Sequence, residues 1–408
     1  MNYLKITVQK YGGTSLATPE LRAKVCDIIR NSVDDGYNVV VVVSAIGRDK
    51  DPYATDTLLN LARSINPLIS NRELDYLMAC GETISGIILA AQLATLGLET
   101  QFLNGEQAGI VTDGNYGDAH ILYVNKERIV NALNQGVIPI VAGFQGVSET
   151  GELTTLGRGG SDTTASALGV ALNADFIDIF TDVEGVMTAD PRIVDNARLL
   201  NEITYNEICQ LAHDGAKIVH PRAIEIAMRA NIPLRIRSTF NQTTGTLVTN
   251  KMSNVDNIRI INDTIVTGVT YSSDLSQFNI SLVKDNEGKG LLVFKALALA
   301  NISVDFINIG TNDIKFTVPY TLTSKTEAVL KNMGILPEVE LGCAKVAVVG
   351  AAMMAIPGVM AKVIEALSKK DIPIIQSGDS YTNIWCLIKK EYMTIAIKAL
   401  HDIFELGK

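Results

Sequence analysis

Cysteine and histidine are scarce in this chain, with five Cys and four His among 408 residues. The cysteines (Cys26, Cys80, Cys209, Cys343 and Cys386) are odd in number, widely spaced and without a CxxC pair. That argues for reduced thiols and against a disulfide framework or structural zinc. Four histidines with no HExxH pattern make a histidine-built metal centre improbable. Long apolar runs are missing too: Val39–Val43 and Ile87–Ala91 fall far short of the roughly 20 residues that cross a bilayer. The opening MNYLKITVQKYGG has neither the apolar core nor the small-residue cleavage site of a signal peptide, so a cytoplasmic location is expected. Clusters of Lys and Arg are absent. With 35 basic against 44 acidic residues the net charge is −9, which offers nucleic acid no electrostatic footprint while leaving room for local cationic sites.

Hydrophobic residues are plentiful at 47%, enough to fill two or three cores at about 150 residues per domain. Apolar runs at Leu4–Gln9, Asn38–Ser44, Leu98–Leu103, Val137–Ala142, Phe176–Thr181 and Pro233–Arg237 read as parallel strands covered on both faces. Helical spacing recurs between them at Leu21–Asp34, Thr55–Leu61, Ser85–Leu96, Lys126–Gln135, Asp162–Leu172 and Ala223–Arg229, with Pro19 suited to a first turn. The alternation predicts a layered α/β sandwich with a mainly parallel sheet over residues 1–245. A polar connection follows at 246–264. Beyond it, Leu297, Ala298, Ile302, Val304 and Phe306 parallel Leu367, Ser368, Ile372, Ile374 and Gln376 at a constant offset of 70, which also carries Gly288 onto Gly358. We therefore expect tandem α+β modules at 265–340 and 341–408, each reading strand, glycine turn, helix, strand, turn, strand.

Four segments carry groups suited to chemistry. Lys10-Tyr11-Gly12-Gly13-Thr14-Ser15 lies between the first strand and first helix, where paired glycines let backbone amides crowd an anion and the lysine adds charge. A plain tight turn would use the same residues. Gly157-Arg158-Gly159-Gly160-Ser161-Asp162 is more specific, since Arg158 can clamp a carboxylate and Ser161 can cap a helix whose amino terminus faces an anion. Thr181-Asp182-Val183-Glu184-Gly185-Val186-Met187-Thr188-Ala189-Asp190-Pro191-Arg192 begins at the carboxyl end of a predicted strand, where open α/β sheets collect ligands. Gly215-Ala216-Lys217-Ile218-Val219-His220-Pro221-Arg222 offers Lys217 to a pocket edge or, equally, to solvent, and His220 reads as a helix-start residue rather than a base. Together these call for a highly charged anion, a carboxylate partner and no all-protein metal cage. A nucleotide with Mg²⁺ fits that description.

In register with SAIGR at 44–48, Tyr53-Ala54-Thr55-Asp56 and Gly81-Glu82, these segments resemble aspartate kinase over nearly the whole chain. The resemblance implies an amino-acid kinase three-layer αβα sandwich followed by two ferredoxin-like ACT modules. It also implies transfer of the ATP γ-phosphate to the side-chain carboxylate of L-aspartate, with Mg²⁺ held mainly by ATP phosphates and water. Lys10, Arg158, Asp162 and Lys217 would be catalytic. Ser44, Thr55, Glu82, Arg158 and Ser161 would bind aspartate, with Arg158 on a carboxylate and Glu82 facing the ammonium. Lys10, Gly12, Gly13, Ser15, Thr181, Asp182, Arg192 and Lys217 would hold the nucleotide. Asp285 and Asn308 are candidate effector contacts, although Asp285-Asn286-Glu287-Gly288 departs from the family's Asp-x-Pro-Gly turn and Asn308-Ile309-Gly310 replaces a frequent glutamine. Gln376-Ser377-Gly378-Asp379-Ser380 resembles the branch controlled by diaminopimelate or lysine. A homodimer through the ACT modules, regulation by lysine, threonine or diaminopimelate, and the absence of a fused homoserine dehydrogenase after Lys408 are expected on the same ground. Glutamate, acetylglutamate and nucleoside monophosphate kinases, or a sensor without turnover, are the competing readings.

Overall fold

A computed structural model describes residues 4–216, 218–241, 243–250, 254–255, 258–259, 266–281, 289–351, 353 and 356–408. The chain forms two compact units. The first comprises residues 1–186, 199–212 and 217–261, and the second 187–198, 213–216 and 262–408. Two short stretches ahead of the expected linker thus belong with the carboxyl-terminal unit.

In the first unit, β1 (Ile6–Tyr11), α1 (Pro19–Asp34), β2 (Asn38–Val43), α2 (Thr55–Ile65), α3 (Asn71–Ala94) and β3 (Thr100–Leu103) come first. They are followed by β4 (Ile110–Thr112), β5 (Ile121–Val124), α4 (Glu127–Asn134), β6 (Ile138–Ala142), β7 (Gln145–Ser148), β8 (Leu153–Thr155), α5 (Gly160–Leu172) and β9 (Phe176–Thr181). Next are β10 (Glu202–Ile203), α6 (Tyr205–His213), α7 (Pro221–Ala230), β11 (Leu234–Ser238) and β12 (Thr246–Val248), with β13 (Asn254–Val255) and β14 (Ile258–Arg259) as a small antiparallel pair. Eight strands build the main sheet in the order β10-β12-β11-β9-β1-β2-β6-β3. All its pairings are parallel except β11 with β12. The six strands read from the sequence are all present, each within a few residues of its expected ends.

Thr18 caps α1, its side chain accepting from the Leu21 amide, and Pro19 occupies the first turn where its missing N–H costs nothing. On the α1 face of the sheet, Tyr11 and Phe180 stack with centroids 4.8 Å apart beside Val39, Val41, Val43 and Leu89. Two features escape a reading of apolar periodicity. Helix α3 begins 14 residues before the expected Ser85 because Asp75 and Glu82 lie on its buried face. It is long and apolar enough to cross a membrane by length and composition, yet that face carries both carboxylates. The second feature is a four-stranded sheet, β5-β4-β7-β8, whose strands of three or four residues are too short to announce themselves.

The second unit contains β15 (Gly268–Ser281), α8 (Lys289–Leu299), β16 (Asp305–Ile309), β17 (Asp313–Pro319) and α9 (Thr323–Asn332). These are followed by β18 (Glu338–Val349), α10 (Val359–Ser368), β19 (Gln376–Asp379), β20 (Asn383–Lys389) and α11 (Met393–Ile403). Each element of the first half recurs 70 or 71 residues later, from Gly268 against Glu338 to Thr323 against Met393. The expected order of strands and helices holds, with one addition per module, a second helix, α9 or α11; the glycine turn expected at Gly288 lies outside the described residues. One antiparallel sheet, β16-β17-β15-β18-β20-β19, serves both halves. Because β15 and β18 pair with each other, each supplies the fourth strand of its neighbour's ferredoxin-like unit. Separate cores lie on the two halves: Phe278, Val293, Leu297, Phe316 and Leu330 in one, and Val346, Val363, Leu367, Ile397 and Leu400 in the other.

Phe278 and Phe316 stack at 5.4 Å, both fully buried. Phe278→Ala is expected to destabilise the protein by roughly 3–5 kcal/mol through lost burial and an unfilled cavity. Denaturant unfolding measures this, and a change under about 1 kcal/mol would show that the half-core collapses around the gap.

Candidate active site

Open α/β sheets leave polar backbone and loop side chains at the carboxyl ends of their strands. Here the ends of β1, β2 and β6 open onto a cavity of about 740 Å³ lined by Lys10, Gly13, Ser44, Thr55, Glu82, Phe144, Arg158, Ser161 and Asp162, among others. The cavity therefore brings together eight of the residues singled out in the sequence, drawn from five separate segments.

Lys10 leaves the end of β1 and forms an ion pair with Asp162 at 2.7 Å, both side chains being mostly buried. Asp162 stands in the first turn of α5, where a helix amino terminus favours its negative charge. Its other oxygen faces the backbone N–H of His220 at 3.4 Å. Gly13 follows Lys10 because a side chain could not fit: a Cβ would lie 2.4 Å from the Ala45 carbonyl oxygen. Gly159 has φ +67° and a Cβ there would sit 2.2 Å from that of His220, so the turn into α5 is also restricted to glycine. His220 itself caps α7, its ring Nδ1 accepting from the Arg222 amide, in keeping with its reading as a helix-start residue.

Arg158 is exposed at the cavity. On the opposing helix α3, Glu82 is buried, with one oxygen accepting from the Ala45 N–H at 3.1 Å and the other without a hydrogen-bond partner among the described residues. Burial pushes its carboxyl up to about 8, the two backbone hydrogen bonds offsetting only part of the loss of water. A buried carboxyl with a vacant acceptor is suited to receive a cationic group. One helical face also presents Asp75, which accepts from Thr155 N–H and hydroxyl and from Gly117 N–H. Asp75 also has its acidity weakened mainly by burial. It thereby ties α3 to β8 and to the loop at Tyr116-Gly117-Asp118 that borders the cavity. Asp75 was not among the sequence candidates; its spacing of seven from Glu82, two helical turns on one face, was the available signal.

Other candidates lie elsewhere. Ser15 is fully buried and its hydroxyl shares a 2.7 Å hydrogen bond with that of Thr239, so it braces the loop. Gly12 donates its amide to the Phe180 carbonyl and does not line the cavity. Thr181 donates to Asp182, which pairs with Arg48, a cavity residue at the end of the SAIGR segment. Arg192 belongs to the second unit, where it pairs with Asp190 at 2.7 Å and lowers that carboxyl's pKa. Asn308 is exposed on β16. Lys217 and Asp285 lie outside the described residues. No group of three or more His, Cys, Asp or Glu side chains that could hold a metal ion occurs among the described residues.

Comparison with known proteins identifies the family and the fold. The Amino acid kinase family matches residues 5–238, and an ACT domain matches residues 338–402. The chain is 47% identical over 405 residues to Aspartokinase 1 of Bacillus subtilis, covering 99% of this chain and 100% of that protein. It is 40% identical over 419 residues to the aspartokinase of Corynebacterium glutamicum, covering 99% and 97%. Among solved structures, E. coli aspartokinase III in complex with aspartate and ADP (R-state) matches with a TM-score of 0.81 at 27% identity, covering 98% of this chain and 99% of that one. The same E. coli protein with lysine and aspartate (T-state) matches at 0.76 and 26%, covering 97% and 99%.

The Glu82 environment has a measurable consequence for stability. The folded protein retains this proton up to about 8, whereas the ordinary value is 4.5. Its contribution is fully present below the ordinary value and is lost as pH rises through the folded one. Glu82→Gln is therefore expected to unfold near the wild-type temperature at about pH 5 and above it at about pH 9. A thermal-unfolding series showing no pH-dependent gap would mean that Glu82 is hydrated.

Proposed function

The chain belongs to the aspartokinase family, within the amino acid kinase family, and on that premise we propose that its cavity transfers the γ-phosphate of ATP to the side-chain carboxylate of L-aspartate. The products are 4-phospho-L-aspartate and ADP. The observation carrying this reading is the single cavity that gathers Lys10, Glu82, Arg158, Ser161 and Asp162: two cations, an amino terminus of a helix and a buried carboxyl match a zwitterionic acid meeting a polyphosphate.

The chemistry follows from charge. An aspartate side chain, with a reference pKa near 3.9, arrives ionised and is already a nucleophile, so no general base is needed. The obstacle is repulsion between that carboxylate and the triphosphate, which cationic side chains and backbone amides offset in a site where water is limited. Arg158 pairs with a carboxylate of the substrate through two parallel hydrogen bonds. Glu82 accepts from the substrate ammonium, whose positive charge restores the ionised form that burial disfavours. Thr55, Ser44 and Ser161 supply polar contacts around the amino acid. Lys10, oriented by Asp162, faces the transferring phosphoryl group, and Lys217 neutralises the β- and γ-phosphates. Gly13 keeps the loop beside Lys10 free of side-chain bulk, and Asp182 with Thr181 serves the nucleotide at the end of β9.

Mg²⁺ fits this donor set as an ion held by phosphate oxygens and water, because Asp162 is already neutralised by Lys10 and the described residues offer no cage. When bound, it would shield phosphate charge. Residues 1–248, apart from 187–198 and 213–216, form the catalytic part, followed by ACT modules at 265–340 and 341–408 that bind an end-product amino acid and associate into a homodimer. In this reading the product enters lysine, threonine, methionine and diaminopimelate biosynthesis in the cytoplasm. The lysine-bound T-state of the E. coli relative supports lysine as an effector to test beside threonine and diaminopimelate.

ADP release measured with aspartate, glutamate, acetylglutamate and UMP in turn should occur with aspartate; the absence of aspartate-dependent turnover would overturn the assignment. Lys10→Ala should lower kcat by roughly two to four orders of magnitude without loss of the folded state. Arg158→Ala should raise the aspartate KM far more than the ATP KM, and equal loss of both affinities would indicate collapse of the loop instead.

A further inference from the structure

A guanidinium in the first turn of a helix works against the helix dipole, which favours anions there. Arg222 occupies that place in α7, directly after Pro221. It is half-buried, and no carboxylate pairs with it among the described residues. Its fork is directed at two backbone carbonyls instead: one terminal nitrogen donates to Leu156 O at 3.1 Å and the other to Ala119 O at 2.9 Å. Both acceptors belong to fully buried residues of the same compact unit.

The two carbonyls stand at the edge of the cavity. Leu156 immediately precedes Gly157-Arg158-Gly159, and Ala119 immediately follows Tyr116-Gly117-Asp118, all six of which line it. The segments lie side by side. Ala119 N–H donates to Thr155 O at 2.9 Å, and Gly157, with φ +71°, is so close to Asp118 that a Cβ would lie 2.6 Å from its Oδ1. A second charged group holds the same pair of segments, because the buried Asp75 accepts from Gly117 N–H and from the N–H and hydroxyl of Thr155. Arg158 is thus carried between two glycines without room to shift, Gly157 packed on Asp118 and Gly159 on His220.

We propose that Arg222 is a positioning residue for Arg158. Its double donation to Leu156 and Ala119 joins the start of α7 to both segments and fixes the point at which Arg158 enters the cavity. A planar guanidinium suits this task, whereas an ammonium on a flexible stem lacks the fork that bridges two acceptors. The proposal rests on the reading of Arg158 as the clamp on a substrate carboxylate, and it adds that Arg222 sets affinity for the acidic substrate and not for the nucleotide. Changing the Arg222 side chain leaves the α7 cap in place, since His220 Nδ1 accepts from the backbone N–H of that residue. Lys10 holds Asp162 independently of it.

The test uses the full chain and compares Arg222→Met, Arg158→Ala and the double variant, with thermal midpoint, kcat and both KM values read for each. Arg222→Met should still melt cooperatively, at a midpoint below wild type because two buried carbonyls lose their donor. Its aspartate KM should rise roughly ten- to a hundredfold, with the ATP KM within about twofold of wild type. In the Arg158→Ala background the same substitution should change aspartate KM by less than about twofold, since residues acting through one group do not add. An unchanged aspartate KM in Arg222→Met, equal rises for both substrates, or the same fold rise in both backgrounds would overturn the proposal. An aspartate KM unaffected by Arg158→Ala would remove the clamp reading itself, and the positioning role with it. If Arg222→Met does not fold, Arg222→Lys, which keeps the charge but not the fork, decides: a severalfold rise in aspartate KM alone supports the proposal, and an unchanged value or matching rises for both substrates overturn it.

Discussion

The Lys10–Asp162 ion pair organises the catalytic half of this protein. Lys10 is the penultimate residue of the central strand β1 and Asp162 lies in the first turn of α5, so a single 2.7 Å contact joins the middle of the sheet to the helix that covers it. A lysine ammonium on a flexible four-carbon stem would otherwise sample many positions. Held by a carboxylate at a helix amino terminus, it is a pre-oriented charge on the wall of the cavity. The neighbouring restrictions serve the same end. Gly13 and Gly159 allow loops to close to distances that a Cβ would forbid, and Asp75 binds α3 to β8 so that Glu82 cannot drift from the cavity.

Two carboxyls of α3 show how one helix divides its labour. Asp75 receives three hydrogen bonds and is satisfied structurally. Glu82 receives one from Ala45 and keeps an unpartnered oxygen in a buried site. The same desolvation raises both pKa values, but only the unsatisfied group retains capacity for a ligand cation. In the carboxyl-terminal unit, β15 and β18 are shared by the two ferredoxin-like halves. A shift in the strands of one half is therefore felt by the other through backbone hydrogen bonds, without any intervening loop.

Much of this was legible before the structure. Parallel strands buried on both faces are continuous apolar runs, and the six runs read from the sequence are the strands from β1 to β11 that carry the main sheet. The repeat offset of 70 was visible because both modules keep the same order of elements. Glycine-rich segments beside Lys10 and Arg158 pointed to the cavity for the physical reason that backbone amides need uncrowded approach. Other features left no local trace. Helix α3 was cut short because its buried carboxylates break the apolar periodicity, and β4, β5, β7 and β8 are too short to show alternation. Ser15 sits in the right motif and yet turns towards Thr239, 224 residues away.

Residue types and their local spacing determined the elements, the charge inventory and the segments able to bind anions, because strand and helix periods act over a few residues. Tertiary structure alone decided which of those groups share a cavity, which are occupied by partners, and which stretches join the second unit. Asp190 with Tyr271, and Asp214 with Lys345, are brought together by contacts that no local pattern encodes. Burial is the reason: whether a charge is solvated, paired or left open to a ligand depends on atoms brought from distant parts of the chain, and desolvation is what gives each of these groups its chemistry.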